Sequence, residues 1–440
     1  MFHSGHRLWL SSFLVSMALL LASCATEPPA GPSEPLPDVS LGSVLELLQI
    51  KTGFDKTFTI IDALGDAHVF IIAVDAKEVY HIVVTPDGAV QRERVESNTS
   101  PSSISAAFGS DGKLHLLLDD KHLVREGASW IVTSNTPWED PGIRIKMPVS
   151  IVPGRVSPRF VQGTKDLVWA FLVNGKQLGE HGRWEWFGFG GFGAGIVFPW
   201  HVSSEKLVIV AEAVEGDPAW YVLDTQDNLD TANSMLAADS NGVLHIVYEV
   251  FRNGMAGSSE PRYAEIQLMP PGSGVAHGLP GTTAGGKSLY PVSGSPIPIL
   301  GNERPFYFSR AAMAVDPETG TVLVARVDEQ ASFVNTNGKW ISLPGLPLSY
   351  YRAVPAPAGG DAFHVMTAGK SNEVLYQRYR AGRWSGAVEL GQGKGGYYGI
   401  ASNGHNRAFV VWAKETGIVG RWVVAMPGVT NPMPAPLVDH

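Results

Sequence analysis

The sequence is poor in cysteine, in charge and in helical patterning. Cys24 is the only cysteine, so no disulfide can form within the chain and packing alone must hold the fold. Charged residues make up 17 % of the chain, whereas glycine (49) and proline (31) are abundant. After residue 24, no helical periodicity appears apart from a short stretch at 43–48. Few charges and many turn-forming residues indicate an all-β protein with short strands.

Motifs of the common enzyme classes are also missing. The sequence contains no Gly-x-Ser-x-Gly, no His-Glu-x-x-His, no phosphate-binding loop and no dinucleotide fingerprint. A glycosidase needs two facing carboxylates, and the 42 acidic residues cannot be paired from sequence alone. The sequence therefore predicts no cofactor and no metal, and it leaves the catalytic residues unknown.

The N-terminus has the three parts of an export signal. Arg7 is the one charged residue before Cys24, an apolar run covers 8–21, and small residues precede the cysteine. The stretch Leu21-Ala22-Ser23-Cys24 resembles the lipobox of bacterial lipoproteins, which implies acylation of the Cys24 thiol. The alternatives are an ordinary signal peptide with a chance cysteine and an uncleaved anchor, although the apolar run is shorter than the ~20 residues of a membrane span.

The segment after Cys24 predicts a tether. Residues 24–38 are rich in proline with little apolar content, and such a chain stays extended and disordered. Ala25, rather than Asp, follows the cysteine, and by resemblance to lipoproteins of Gram-negative bacteria this favours the outer membrane. The predicted division is a signal peptide at 1–23, the tether at 24–38, a folded body at 39–428 and a tail at 429–440. The predicted location is the cell envelope.

The balance of charge excludes two classes of partner. Without Arg7 the mature chain has 32 basic residues against 42 acidic ones, a formal net charge of −10. A nucleic-acid partner would call for a clustered basic face, and docking on anionic lipid headgroups would call for the same. The predicted membrane contact is therefore the lipid on Cys24.

A repeat runs through the body of the chain. Each copy has a turn with Asp or Asn and Gly, followed by a short β-branched and aromatic run, which is a hairpin pattern. The clearest copies are at 110–118, 239–248 and 316–324, and weaker ones are at 65–71, 164–169, 204–209, 360–365 and 406–412.

A tryptophan follows most copies, often after glycine, at Trp130, Trp184, Trp340, Trp384 and Trp422. Each unit then has about four strands, and eight units fill 56–425, which matches the ~40–50-residue period of a propeller blade. The sequence predicts an all-β β-propeller of seven or eight four-stranded blades, with the tryptophan as a wedge between blades. A pair of β-sandwiches is the alternative. Residues 268–305 lack the repeat and predict a Pro/Gly-rich insertion.

The repeat unit resembles those of secreted sialidase-like and BNR-type propellers, and the resemblance covers most of 56–425. It implies the propeller architecture. Sialidases also carry Asp-boxes of the form Ser-x-Asp-x-Gly-x-x-Trp and an Arg-Ile-Pro motif, and neither occurs here. The nearest string, Tyr351-Arg352-Ala353-Val354-Pro355, comes late and lacks the isoleucine. The resemblance therefore implies the fold and not the activity.

Two groups of aromatic residues are candidate ligand-binding positions. Residues 182–201 interleave aromatic residues, among them Trp184, Trp186 and Trp200, with glycines. Exposed rings of this kind stack on sugars or form partner contacts, and the alternative is that they are buried between strands. Tyrosine pairs precede the inner strands of the last two units and are candidates for the channel mouth: Tyr350, Tyr351, Tyr397 and Tyr398.

Two polar patterns have both a structural and a metal-binding interpretation. One position is histidine in four units, at His68, His115, His245 and His364. Facing the axis, these rings could hold a metal; the structural alternative is hydrogen bonding between blades. The turn acids Asp111, Asp239 and Asp316 predict side-chain caps of their own turns. Residues 224–230 come closest to a cation loop and otherwise predict a connection between blades.

These patterns together favour a lipid-anchored envelope propeller that binds a glycan or a protein partner without catalysis. A propeller-class glycoside hydrolase or polysaccharide lyase is the first alternative. A structural subunit of an envelope complex, using 268–305 as its contact, is the second.

Overall fold

In a computed structural model the described residues form strands and turns within one compact unit, residues 36–440. Among them, no helix has the length and apolarity needed to cross a membrane. Between 167 and 298 side chains are described only at 237–241, 243–247 and 262–265. The backbone is described at 39–50, 56–97, 101, 104–108, 112–118, 121–132, 167–173, 180–188, 195–212, 219–227, 229–241, 243–251, 259–266, 283–284, 287–291, 297–298, 311–326, 332–336, 338–343, 346, 353–369, 371–394, 398–402 and 404–425.

Among the described residues, six antiparallel sheets of four or five strands have the form of blades. Blade 1 is β3 (Lys56–Ile61), β4 (Ala67–Ala73), β5 (Glu78–Val84) and β6 (Val90–Ser97). Blade 2 is β7 (Ile104–Phe108), β8 (Leu114–Leu118), β9 (Lys121–Glu126) and β10 (Ser129–Val132). Blade 3 is β15 (Leu229–Ala238), β16 (Leu244–Phe251), β17 (Ser259–Ile266) and β20 (Ile297–Pro298).

The other three blades come from the C-terminal half and the N-terminus. Blade 4 is β21 (Ala311–Val315), β22 (Val322–Arg326), β23 (Ser332–Thr336) and β24 (Lys339–Leu343). Blade 5 is β25 (Val354–Gly359), β26 (Ala362–Ala368), β27 (Glu373–Arg380), β28 (Arg383–Trp384) and β29 (Val388–Gln392). Blade 6 is β30 (Tyr398–Ser402), β31 (Arg407–Lys414) and β32 (Gly417–Ala425), with β1 (Val39–Leu41) and β2 (Leu45–Leu48).

A seventh, wider sheet has a different form. Its six strands include a parallel pair, β14 with β19. They are β11 (Leu167–Val173), β12 (Glu180–Gly188), β13 (Gly195–Glu212), β14 (Ala219–Asp227), β18 (Thr283–Ala284) and β19 (Lys287–Pro291). The prediction of an all-β propeller is thus confirmed, but the prediction of seven or eight four-stranded blades is wrong, because six sheets have blade form.

The miscount has a physical origin in the length of β13. This strand has 18 residues, and it pairs with β12 through its first half and with β11 through its second half. The repeat copies at 164–169 and 204–209, expected to start separate blades, therefore lie side by side in one sheet. Within 268–305, expected as an insertion, β18 and β19 extend this sheet and β20 completes blade 3.

The core lies between neighbouring blades. The middle strands are buried on both faces; in β4 and β26 all seven residues are buried. Alternate residues of β4 then face opposite neighbours: Ile71 packs with Phe409 of blade 6, and Phe70 packs with Leu116 of blade 2. A strand buried on both sides reads as a continuous apolar run, which explains the unalternating hydrophobic stretches of the repeat.

Three of the five recurrent tryptophans pack between blades, where wedges were expected. Trp340 on β24 meets Tyr263 of blade 3, with ring centroids 5.0 Å apart. Trp130 on β10 meets Phe70 of blade 1 at 6.0 Å. Trp422 on β32 lies in the core shared with blade 1 and donates its indole N–H to the carbonyl of Thr85. Each large ring buries area at the same kind of junction.

The N-terminal strands close the ring. Strands β1 and β2 both pair antiparallel with β32, so blade 6 combines the two ends of the folded body. Arg421 donates to the carbonyl of Gly42 through Nε at 3.0 Å, and Arg92 of blade 1 donates to the carbonyls of Glu46 and Leu47. A strand contributed from the far end of the chain links the first and last blades without a covalent bond.

Leu47→Ala is expected to lower the free energy of unfolding by about 2–5 kcal/mol, the range for a leucine truncated in a core. Leu47 is fully buried between blades 6 and 1. Leu64→Ala is the matched control, because that side chain is 83 % exposed on a turn. Urea unfolding followed by tryptophan fluorescence measures both variants. Equal midpoints for the two would contradict closure through β2.

Candidate functional site

The four repeated histidines lie at the start of second strands, facing partners on third strands. His68 Nδ1 is 3.0 Å from His81 Nε2, and His115 Nδ1 is 2.9 Å from His122 Nε2. In the other two blades the partner is a tyrosine hydroxyl: His245 Nδ1 is 2.7 Å from Tyr263 and His364 Nδ1 is 2.6 Å from Tyr376. All eight side chains are buried.

This placement decides between the two interpretations of the histidines. Each ring bonds to the next strand of its own blade, and none of these four contacts joins one repeated histidine to another. In the parts of the chain that the structure describes, no group of three or more His, Cys, Asp or Glu side chains could hold a metal. The rings do form hydrogen bonds, but their bonds to the third strands lie within blades and not between them. His364 also reaches a neighbouring blade, through Nε2 at 3.0 Å from the carbonyl of His405 in blade 6.

Burial keeps these imidazoles neutral. It lowers the pKa of His68 and of His364 to about 4, and that of His122 to about 3. A carbonyl oxygen can only accept, so Nε2 of His364 carries the proton and donates to His405. Its Nδ1 then accepts from the Tyr376 hydroxyl, and burial raises the pKa of that hydroxyl. The neutral His364 ring, with both nitrogens hydrogen-bonded, therefore links β26 to its neighbours.

The turn acids cap their turns as predicted. Asp239 Oδ1 accepts from the backbone N–H groups of Asn241 and Val243, both at 2.9 Å. Asp316 Oδ1 accepts from Glu318 N at 2.9 Å, and its Oδ2 accepts from Asp361 N of blade 5 at 3.0 Å. The turns of neighbouring blades are therefore tied together as well. Asp111 lies outside the described residues.

The segment 224–230 is strand rather than loop. Strand β14 runs to Asp227 and β15 begins at Leu229, so only one residue separates them. The candidate cation loop is therefore an extended crossing between the wide sheet and blade 3. The side chains of this segment lie outside the description.

The aromatic hairpin is formed by β12 and β13. Trp184 pairs with Pro199, Trp186 with Val197, and Trp200 with Arg183. Positions two apart share a face and adjacent positions alternate, so positions 184 and 186 are on one face of the hairpin and position 200 is on the other. The three tryptophans, whose side chains are not described, cannot be grouped on one face by this register.

The candidate tyrosines are only partly covered. Tyr350, Tyr351 and Tyr397 lie outside the described residues. Tyr398 begins β30 and is 7 % exposed, packed in the core between blades 5 and 6. The structure thus assigns this ring to packing between blades. Cys24, with the signal, tether and tail, also lies outside the described residues.

Sequence reasoning missed a basic cluster where blade 5 meets blade 6, which consists of Arg378, Arg380, Arg383 and Asn406. Arg378 on β27 is 8 % exposed, and its Nη2 donates to Asn406 Oδ1 at 2.5 Å. On the same strand, Val374 and Tyr376 pack into the core shared with blade 6. The sequence did contain a signal: in Val374-x-Tyr376-x-Arg378, an arginine occupies the next position on the strand face that Val374 and Tyr376 share.

No protein-family model matches the chain, and no curated protein matches it either. The chain is similar to several solved structures. The polysaccharide lyase Uly1 is 9 % identical, with 93 % of this chain and 95 % of that chain covered and a TM-score of 0.49. The β-propeller domain of Cps50 (Swd1) from Myceliophteria thermophila is 10 % identical over 86 % and 99 %, TM-score 0.45. The Trypanosoma rangeli sialidase is 11 % identical over 89 % and 60 %, TM-score 0.40. These are likenesses of fold.

The free energy of unfolding is expected to fall as the pH drops from about 6.5 to about 4. The pKa of His364 is about 4 in the folded chain against about 6.5 in an unfolded one. Over that range the unfolded chain therefore takes up a proton that the folded chain does not. Above pH 6.5 this contribution is fully present.

His364→Gln should reduce the pH slope of stability by up to one proton, measured by urea unfolding between pH 4 and 7.5. Tyr376→Phe is the matched control, because it removes the same hydrogen bond but leaves the titrating ring in place. An unchanged slope in His364→Gln would contradict a neutral, buried His364.

Proposed function

We propose that this chain is a cell-envelope β-propeller that acts as a non-catalytic binding module for a glycan or a protein partner. One observation carries the proposal: all four repeated histidines and the turn acids Asp239 and Asp316 are hydrogen-bonded within or between blades. Residues that could have been catalytic or metal-binding groups instead hold strands together by hydrogen bonds. On a rigid scaffold, binding groups belong to the connections and exposed hairpins.

The aromatic hairpin is the proposed glycan-binding element. Tryptophans at 184 and 186 are two apart on β12 and occupy one face, which is the spacing at which neighbouring rings can stack on one sugar chain. Position 200 on the opposite face would serve a different contact. The tyrosines at 350, 351 and 397 are proposed as a second element near the inner strands.

The proposed location is the cell envelope, with the lipid on Cys24 as the membrane contact and the outer membrane as the destination. The lipobox-like sequence supports this proposal, and β1 begins at Val39, directly after the proline-rich segment. A tether of this composition would hold the ring away from the bilayer surface.

Cys24→Ser is expected to move the protein from the membrane fraction to the soluble fraction, because serine has no thiol to acylate. Cell fractionation with immunoblotting measures the shift, and Ser23→Ala is the control that leaves the cysteine in place. A Cys24→Ser protein that stays with the membranes would refute the lipid anchor.

The purified full chain is expected to retain a subset of sugars on a glycan array. Trp184→Ala with Trp186→Ala should abolish retention, whereas Trp200→Ala should leave it, because the register separates the two faces. Ile341→Ala, a 46 % exposed residue on the outer strand β24, is the control.

Retention unaffected by the double variant would refute the hairpin. Release of shortened oligosaccharides from a retained glycan would refute the non-catalytic proposal and favour the hydrolase or lyase alternative. Failure to retain any glycan, with envelope proteins co-purifying, would favour the structural subunit.

A further inference from the structure

Arg378 is a buried cation with few partners. Its Nη2 donates to the amide oxygen of Asn406 in blade 6, while its Nε is buried and has no hydrogen-bond acceptor in the described structure. Burial lowers the pKa of Arg378, and the positive charge of Arg380 lowers it further. A guanidinium nevertheless stays charged in a protein, so a largely buried side chain carries this charge.

Two half-buried arginines at blade junctions are paired differently. Arg421 donates to the carbonyl of Gly42 and to that of Leu390, using Nε, Nη1 and Nη2. Arg125 of blade 2 forms an ion pair with Glu93 at 3.2 Å. Within the described residues, Arg378 is the one buried arginine and no carboxylate pairs with it. An unpaired buried charge is costly, so this position calls for a counter-charge.

The groups around Arg378 do not supply that counter-charge. His364 is opposite Arg378 in the strand register, and its ring is neutral. The Tyr376 hydroxyl stays protonated, because burial raises its pKa. Asn406 contributes an uncharged amide. Among these described neighbours, none adds a negative charge beside Arg378.

Further arginines stand at the end of the same strand. Arg380 is two residues from Arg378 on β27 and therefore on the same face, and it pairs with Arg383 of β28. Both are exposed. The basic cluster therefore has one buried and two exposed arginines, in a chain whose formal net charge is −9.

We propose that the basic cluster is an oxoanion-binding site that takes a carboxylate, sulfate or phosphate group. Arg378 is the buried ligand, Asn406 orients it, and the exposed Arg380 and Arg383 attract the anion at the surface. The planar guanidinium fork matches the two oxygens of such a group. The site is independent of the aromatic hairpin, so it adds an acidic ligand class to the proposed binding function without depending on that function.

Arg378→Met tests the site by its effect on thermal unfolding of the full chain. In chloride buffer the variant should be at least as stable as the natural protein, because it removes an uncompensated buried charge. Added inorganic phosphate, inorganic sulfate or D-galacturonate, at constant ionic strength, should raise the unfolding temperature of the natural protein saturably. The variant should bind about tenfold more weakly or not at all.

Arg421→Met is the matched control. It leaves backbone carbonyls without donors and should lower the unfolding temperature in every buffer, but it should keep the anion-dependent rise. Arg378→Lys keeps the charge without the fork and should weaken the rise while preserving the fold, so a failure of Arg378→Met to fold leaves the question decidable.

The three probes separate the sources of the anion. A rise with galacturonate alone identifies an acidic sugar, and a rise with phosphate or sulfate alone identifies a free or esterified inorganic anion; either supports the site. No rise with any probe, or an equal rise in Arg378→Met, would overturn it. Glycan retention that depends on Trp184 and Trp186 would survive that outcome, so failure here differs from failure of the proposed function.

Discussion

The burial of each middle strand between two neighbouring blades is the constraint on which the rest of the structure depends. A blade such as β3–β6 buries one set of side chains against blade 2 and the alternate set against blade 6. Neither face is satisfied by the blade alone, so stability of the order of 25 cal/mol per Å² of apolar area is available only in the assembled ring. Because the ring must close, the chain uses its N-terminal strands to complete its last blade.

The same burial determines the chemistry of the polar residues. A buried histidine on a middle strand destabilises the fold unless it finds a hydrogen-bond partner inside the protein. Each repeated histidine has such a partner, a histidine or tyrosine on the next strand. These buried rings link strands and are not accessible to ligands. Arg378 differs from these rings, because it is a buried cation whose Nε has no hydrogen-bond acceptor in the described structure. Function is better sought at such exceptions than at the repeated positions.

The sequence alone predicts the architecture well and the details less well. Turn acids, wedge tryptophans and strand propensity are local signals, and Asp239, Asp316 and Trp340 do what their neighbourhoods predict. Blade number failed because the 18-residue β13 joins two repeat units in one sheet, which no local signal reports. The basic cluster at Arg378 was missed because it requires two blades in contact, and the grouping of Trp200 with Trp184 and Trp186 ignored the hairpin register.

The central claim is that the folded body is a ring closed by β1 and β2 on β32, and hydrogen–deuterium exchange measures it most directly. The amides of Val39–Leu41 and Leu45–Leu48 have no other strand partner among the described residues, so their protection reports closure alone. The account predicts protection of these amides comparable with that of β31 and β32, lost together with them in urea. Rapid exchange at 39–48, while β31 and β32 remain protected, would contradict the closed ring.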